Sequence, residues 1–201
     1  MTRLLFGVRV PHQTAQGHWD FSTLVLFDEL RKRVRPGARV LEIGTGEAGT
    51  LSVAMARLVP ATYLALDVAE EAVQSAQAVA AANGVTVEFL RSDLFSALPA
   101  GRSFDLTFFN PPYVPRAMSR QWKTLGEPAR VWDGGEDGLD VIRRFFSEGQ
   151  GRAERLGTVL VGFNRRAVSA DAVARIAGAH GFGEIHRSRA AHPGTVVMFR
   201  C

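Results

Sequence analysis

Residues 38–49 read ARVLEIGTGEAG, and this stretch decides the fold. An apolar run, Ala38 to Ile43, stops at three glycines spaced G-x-G-x-x-G, and a helical pattern from Ala48 to Leu58 follows, closed by Pro60. A short apolar run with no polar alternation is the pattern of a strand buried on both faces. Glycine at 44 and 46 permits a tight turn and lets the backbone come close to a bound ligand. A strand, a glycine turn and a helix in that order form the repeating unit of a parallel sheet.

Downstream the unit recurs. Thr62 to Leu66 predicts a second strand, Ala69 to Ala82 an alanine-rich helix ended by Asn83-Gly84, Val85 to Leu90 a third strand and Phe104 to Phe109 a fourth. An irregular stretch, 110–137, rich in proline, glycine, arginine and tryptophan, follows; a loop that long inside a domain is usually functional. Gly138 to Glu148 predicts a helix, Leu156 to Gly162 a fifth strand and Val168 to His180 a helix closed by Gly181. Phe182 to Arg189 and Thr195 to Arg200 read as two strands joined through His192-Pro193-Gly194. The expected architecture is a doubly wound, mainly parallel seven-stranded α/β sheet with an antiparallel C-terminal hairpin strand. Residues 1–35 are a lead-in, extended through Val8 to Pro11 and helical from about Ser22 to Arg33, ahead of a core over 38–201; the whole of 1–201 is one domain.

The 201 residues are 46% hydrophobic and 22% charged, which suits a single globular domain and excludes disorder, collagen and coiled coil. Cys201 is the one cysteine, so no internal disulfide or cysteine metal site is expected, in keeping with a reducing cytoplasm. The N-terminal apolar stretch, Leu4 to Phe6, is too short for a signal-peptide core, and no run reaches the ~20 residues of a membrane helix. A soluble cytoplasmic protein with no membrane partner is expected. The net charge of +4 comes almost wholly from arginine, Lys32 and Lys123 being the only lysines. That surplus suits either an anionic partner or a plain arginine-rich surface. His12, His18, His180, His186 and His192 lack metal-ligand spacing, and no metal site is expected.

Three acids fall at strand ends: Glu42 just before the glycines, Asp67 after the second strand and Asp93 after the third. A carboxylate in the place of Asp67 can accept both hydroxyls of a ribose. A dinucleotide and S-adenosylmethionine both fit the glycine turn. Glu42, and Glu47 within the turn, favour the second, because negative charge suits a sulfonium or ammonium and repels a pyrophosphate. Asp93 is placed to accept from an adenine amino group.

The fourth strand runs into Asn110-Pro111-Pro112-Tyr113. Two prolines fix φ and leave their carbonyls as free acceptors; the Asn110 side chain adds another. Such a rigid acceptor pair suits the two hydrogens of a planar NH₂ group, and Tyr113 offers an aromatic face for a flat amide or base. Accepting from both N–H groups draws an amide nitrogen toward tetrahedral geometry and localises its lone pair for in-line attack on a methyl group.

The stretches LEIGTGEAG (41–49), RSDLFSALP (91–99), NPPYVP (110–115) and WDGGEDGLDVIRRFF (132–146) together resemble the HemK-type protein-(glutamine-N5) methyltransferases, class I S-adenosylmethionine enzymes that modify peptide chain release factors. The resemblance runs from about residue 38 to the end and implies a Rossmann-like fold and S-adenosylmethionine as cofactor. It implies that Asn110, Pro111, Pro112 and Tyr113 hold the glutamine amide, and that Gly44, Thr45, Gly46, Asp67, Asp93 and Leu94 line the cofactor. It departs before residue 38, where the lead-in is too short for the helical docking domain of the bacterial enzymes and closer to the compact branch that works with a small partner subunit. Within the lead-in VPHQTAQGHWDFST, Trp19 or Phe21 is expected to close over the cofactor.

The acceptor expected first is a glutamine amide in a release factor-like protein; an exocyclic amine of RNA or DNA, adenine N6 or guanine N2, is the alternative. A non-catalytic cofactor-binding subunit is a third reading, against which the intact Asn-Pro-Pro-Tyr corner argues. Trp122 and Trp132 either shape the acceptor cleft or pin the loop. Asp137 is expected to cap the following helix. Arg143-Arg144, Arg152 with Arg155, and Arg165-Arg166 are candidates for a basic rim.

Overall fold

The structure, a computed structural model, describes residues 3–11, 20–118, 131–188 and 191–201. Seven strands form one sheet: β3 (Arg39–Ile43), β4 (Thr62–Asp67), β5 (Glu88–Arg91), β6 (Leu106–Phe109), β7 (Thr158–Asn164), β8 (Gly183–Arg187) and β9 (Gly194–Arg200). Their spatial order is β5-β4-β3-β6-β7-β9-β8; the first five run parallel, and β9 is antiparallel to both neighbours. This is the expected doubly wound sheet. Chain order reverses direction between β3 and β6, leaving a crevice at their carboxyl ends where ligands of such folds bind.

Alternate residues along each strand supply opposite layers. Val40, Leu106, Phe108, Leu160 and Met198 face α1 (Phe21–Arg33) and α2 (Thr50–Leu58), while Leu41, Ile43, Val159, Val161 and Phe199 face α4 (Asp140–Gly149) and α6 (Ala170–Ala179). α3 (Glu70–Ala82) packs on α2 through Val79 and Ala80.

Several boundaries move from their expected places, each for a local reason. The lead-in contains a hairpin, not one extended piece: β1 (Arg3–Leu5) pairs antiparallel with β2 (Val8–Val10) across Phe6 and Gly7, both at positive φ. That is the backbone sign a two-residue hairpin turn requires. Asn83 docks the hairpin, accepting from Arg9 N–H at 2.8 Å and donating to the Arg9 carbonyl at 2.8 Å. The third core strand begins at Glu88 because Gly84 N–H and Val85 N–H close the preceding helix on Ala81 and Ala80 carbonyls, a Schellman motif that uses up Val85. The fifth begins at Thr158: Leu156 ends a short helix, α5 (Ala153–Leu156), and Gly157 turns at φ +63° against the Asp105 backbone. Asp137 does not cap α4, whose N-cap is Leu139; Asp137 instead accepts from Leu139 N–H and pairs with Arg143. The two ends of the long 110–137 loop are tied together, with Val114 N–H donating to Trp132 carbonyl at 2.8 Å and Gly134 N–H to Val114 carbonyl at 2.9 Å. Among the described residues no helix is long and apolar enough to cross a membrane.

Candidate functional site

The glycine turn after β3 is pinned to β4. Thr45 N–H donates to the Leu66 carbonyl at 2.9 Å, and Gly46 N–H to Asp67 Oδ2 at 2.8 Å; Asp67 Oδ1 also accepts from Ala69 N–H at 3.0 Å. Gly44, at φ +67°, turns the chain tightly beside Phe109, whose ring would lie 3.1 Å from any Cβ there. Gly46 is also left-handed, at φ +66°, and has open space where a Cβ would stand, as a cradle for a close-lying ligand requires.

Glu42 behaves differently from the simple negative charge its position suggested. It is buried beneath the turn and accepts from the Thr45 hydroxyl at 2.9 Å and from the Ser52 hydroxyl. Burial pushes its carboxyl up to about 8, against the pull of those two hydroxyls, and the nearby Asp67 charge adds to the rise. Glu42 is therefore mainly neutral at pH 7, and the other acids at the turn are Asp67 and Glu47.

Asp93 lies half-exposed at the end of β5, its Oδ2 accepting from Arg144 Nη2 at 3.0 Å. Leu94 beside it is buried with φ +45°, a left-handed conformation rare for leucine. The Ser92 hydroxyl supports that turn by donating to the Leu94 carbonyl at 2.8 Å.

Asn110 follows β6 directly, and the elements that hold it were not foreseen. The Ser22 hydroxyl lies 2.7 Å from Asn110 Oδ1 and donates to it, and Asn110 Nδ2 donates to Thr23 Oγ1 at 3.3 Å. Tyr113, expected to present an open face, is buried with 8% exposure, and its hydroxyl donates to Asp20 Oδ2. Burial, followed by the Asp20 charge, keeps that phenol well above its ordinary range. Asp20 is the N-cap of α1, in a capping box with Thr23. The cap pattern Asp20-x-x-Thr23 before an apolar helix was the available signal, but nothing in it pointed to residues some 90 positions away.

Eleven of the residues singled out from the sequence, Glu42, Gly44, Thr45, Gly46, Asp67, Asp93, Leu94, Asn110, Pro111, Pro112 and Tyr113, line one cleft of about 500 Å³. Asp20, Thr23, Glu47, Trp132 and Arg144 join them. Phe21 does not: it stacks on His192 with ring centroids 5.0 Å apart. Trp19 and Trp122 lie outside the described residues. Arg143 and Arg144 are paired with Asp137, Asp140, Asp93 and Glu148, so they form no open basic rim.

The family model described as methyltransferase small domain matches residues 11–124, more than half of the chain. The chain belongs to this family. The release factor glutamine methyltransferase of Koribacter versatilis is 43% identical over 110 residues, which cover 52% of this chain and 39% of that protein. That of Gloeobacter violaceus is 40% identical over 118 residues, covering 56% and 41%. The chain thus spans about two-fifths of the length of these two relatives. A methyltransferase from Pyrococcus furiosus shares the fold across 97% of this chain and 89% of its own, with a TM-score of 0.69 and 18% identity. The sheet is the Rossmann-like sheet of methyltransferases.

Proposed function

We propose that this chain is an S-adenosylmethionine-dependent N-methyltransferase acting in the cytoplasm on the side-chain amide of a glutamine in a release factor-like protein. The observation that carries the reading is the meeting in one cleft of two binding chemistries. Asp67, Asp93 and the glycine turn suit a nucleoside with a cationic tail, and Asn110 to Tyr113 suit a planar NH₂. The likeness to release factor glutamine methyltransferases supports a glutamine over a nucleobase, and the internal pairing of Arg143 and Arg144 removes one of the cationic surfaces a nucleic acid would use.

The donor set fits the cofactor. Asp67 keeps lone pairs on both oxygens beyond those its two backbone N–H partners use, so it can accept ribose hydroxyls. Asp93 Oδ1 is left to accept from an adenine amino group. Glu47 and Asp67 supply the negative charge that a sulfonium and an ammonium prefer. When bound, S-adenosylmethionine supplies an electrophilic methyl group on a positively charged sulfur.

The chain's own residues do the rest. Asn110 Oδ1 and a proline-corner carbonyl would accept the two amide hydrogens of the glutamine and hold its nitrogen still, with the lone pair free. Held so, that pair would face the methyl group that a donor seated on Asp67, Asp93 and the glycine turn would supply, the sulfur keeping the electrons of the bond it gives up. The methylated nitrogen then gives its proton to water, so no strong base is needed. Tyr113 and Trp132 wall the cleft and shed water from the reacting atoms.

The test is transfer of labelled methyl from S-adenosylmethionine to a release factor and, separately, to total RNA. Label on a glutamine of the protein is expected, with Asn110→Ala lowering kcat by at least about 100-fold while cofactor affinity holds. Label entering RNA and not protein would overturn the choice of acceptor. A small partner subunit belongs to the same proposal, and added in trans it should raise the rate.

A further inference from the structure

Asn110 and Tyr113 are held by one element from outside their own loop, the first turn of α1. Both Asp20 carboxylate oxygens are engaged there. Oδ1 accepts from Ser22 N–H at 2.8 Å and Thr23 N–H at 3.1 Å, which is the helix cap, while Oδ2 accepts the Tyr113 hydroxyl. The Ser22 hydroxyl has a single hydrogen and sits between two acceptors, Asp20 Oδ1 and Asn110 Oδ1. Ser22 and Thr23 are buried, so these contacts form away from bulk water.

A free asparagine side chain can rotate to present either its oxygen or its NH₂, and only the oxygen can accept from an amide N–H. At Asn110 the rotation is set from both sides: the Ser22 hydroxyl shares its hydrogen between the Asn110 oxygen and Asp20 Oδ1, and Thr23 Oγ1 accepts from the nitrogen. One Oδ1 lone pair is taken by Ser22, and the second is left for a hydrogen of the acceptor. The Asp20 contact pins the tip of the Tyr113 ring, giving the ring one orientation beside it.

We propose that Asp20 and Ser22 are positioning residues that lock the rotamer of Asn110 and the ring of Tyr113, so that the corner meets the acceptor nitrogen already aligned. The proposal rests on the reading of Asn110 to Tyr113 as the holder of that nitrogen.

Asp20→Asn separates this role from plain helix capping, since asparagine caps as well as aspartate but replaces the carboxylate that Tyr113 donates to. The expected result for Asp20→Asn and for Ser22→Ala is a kcat about 10-fold lower, with acceptor KM and S-adenosylmethionine affinity within about 2-fold of wild type and Tm close to it. Because Asp20 acts through the Tyr113 hydroxyl, combining Asp20→Asn with Tyr113→Phe should cost no more than the larger single loss. Losses that multiply, unchanged kcat, or a loss that follows a falling Tm or cofactor affinity would each overturn the proposal while leaving the proposed function standing.

If wild type methylates a different amine, the choice of glutamine fails, and the same cycle on that amine still decides the positioning. If no acceptor is turned over, the contact is read by tyrosinate absorbance in a Tyr63→Phe background. There Asp20→Asn should let Tyr113 ionise at lower pH, and an unchanged titration overturns the contact.

Discussion

Glu42 shows how burial rewrites the chemistry that a residue's position suggests. Unfolded, its carboxyl loses its proton near 4.5, whereas in the native chain it holds it up to about 8. Between those values the native state carries one proton more than the unfolded state, so stability falls as pH rises through that window. Glu42→Gln, which stays neutral, should melt roughly 5 °C above wild type at pH 8 and show no gain at pH 4, by thermal denaturation across pH. A cation bound in the turn favours the ionised form, so cofactor binding at pH 7 should release a proton, visible as a heat that changes with the ionisation enthalpy of the buffer. Asp67→Ala should weaken S-adenosylmethionine by about 10- to 100-fold, the worth of hydrogen bonds to a charged group. Asp67, Asp93 and Asn110 were legible because each falls at or within two residues after the end of a strand, and a strand end at this sheet edge has one place to point. Glu42's neutrality was not, since it depends on what covers the residue. Nor were Asp20 and Ser22 as partners of the corner, because a contact spanning 88 to 93 residues leaves no local pattern.

At the scale of elements, the corner depends on how closely α1 approaches the sheet. Two glycines make that approach possible. A Cβ on Gly194 would stand 2.2 Å from the Phe21 carbonyl oxygen, and one on Gly162 would stand 2.4 Å from Leu26 Cδ1 and 3.5 Å from Asn110 Oδ1. The obstacle at Gly194 is backbone and cannot turn aside. Gly194→Ala should therefore cost about 1–3 kcal/mol in denaturant unfolding and lower kcat as well, because the first turn of α1 must lift away from Asn110. The type and order of the core elements followed from apolar runs punctuated by glycine and proline. The errors gathered at the ends, where main-chain hydrogen bonds decide: Val85 was taken by the helix closure at Gly84, and Leu156 by the helix before Gly157. The β1–β2 hairpin was missed because three-residue strands are too short to show a period.

Across the whole molecule the sheet separates two apolar layers, and the one opposite α1 supports the site from below. Phe146 packs edge-on against Phe145, Phe182 and Phe199 with centroids 5.1 to 5.2 Å apart, and Phe145 meets Phe109, the residue before Asn110, at 5.2 Å. Phe146→Ala should cost about 3–5 kcal/mol in denaturant unfolding, as expected for a fully buried aromatic. The fold thus brings strand ends from β3 to β6 into one cleft, and the claim on which everything else rests is what that cleft takes up. Isothermal titration of the chain with S-adenosylmethionine tests it most directly. The expected result is one site per chain, a buffer-dependent heat and a marked loss of affinity in Asp67→Ala. A chain that takes up a nicotinamide dinucleotide and ignores S-adenosylmethionine would contradict it.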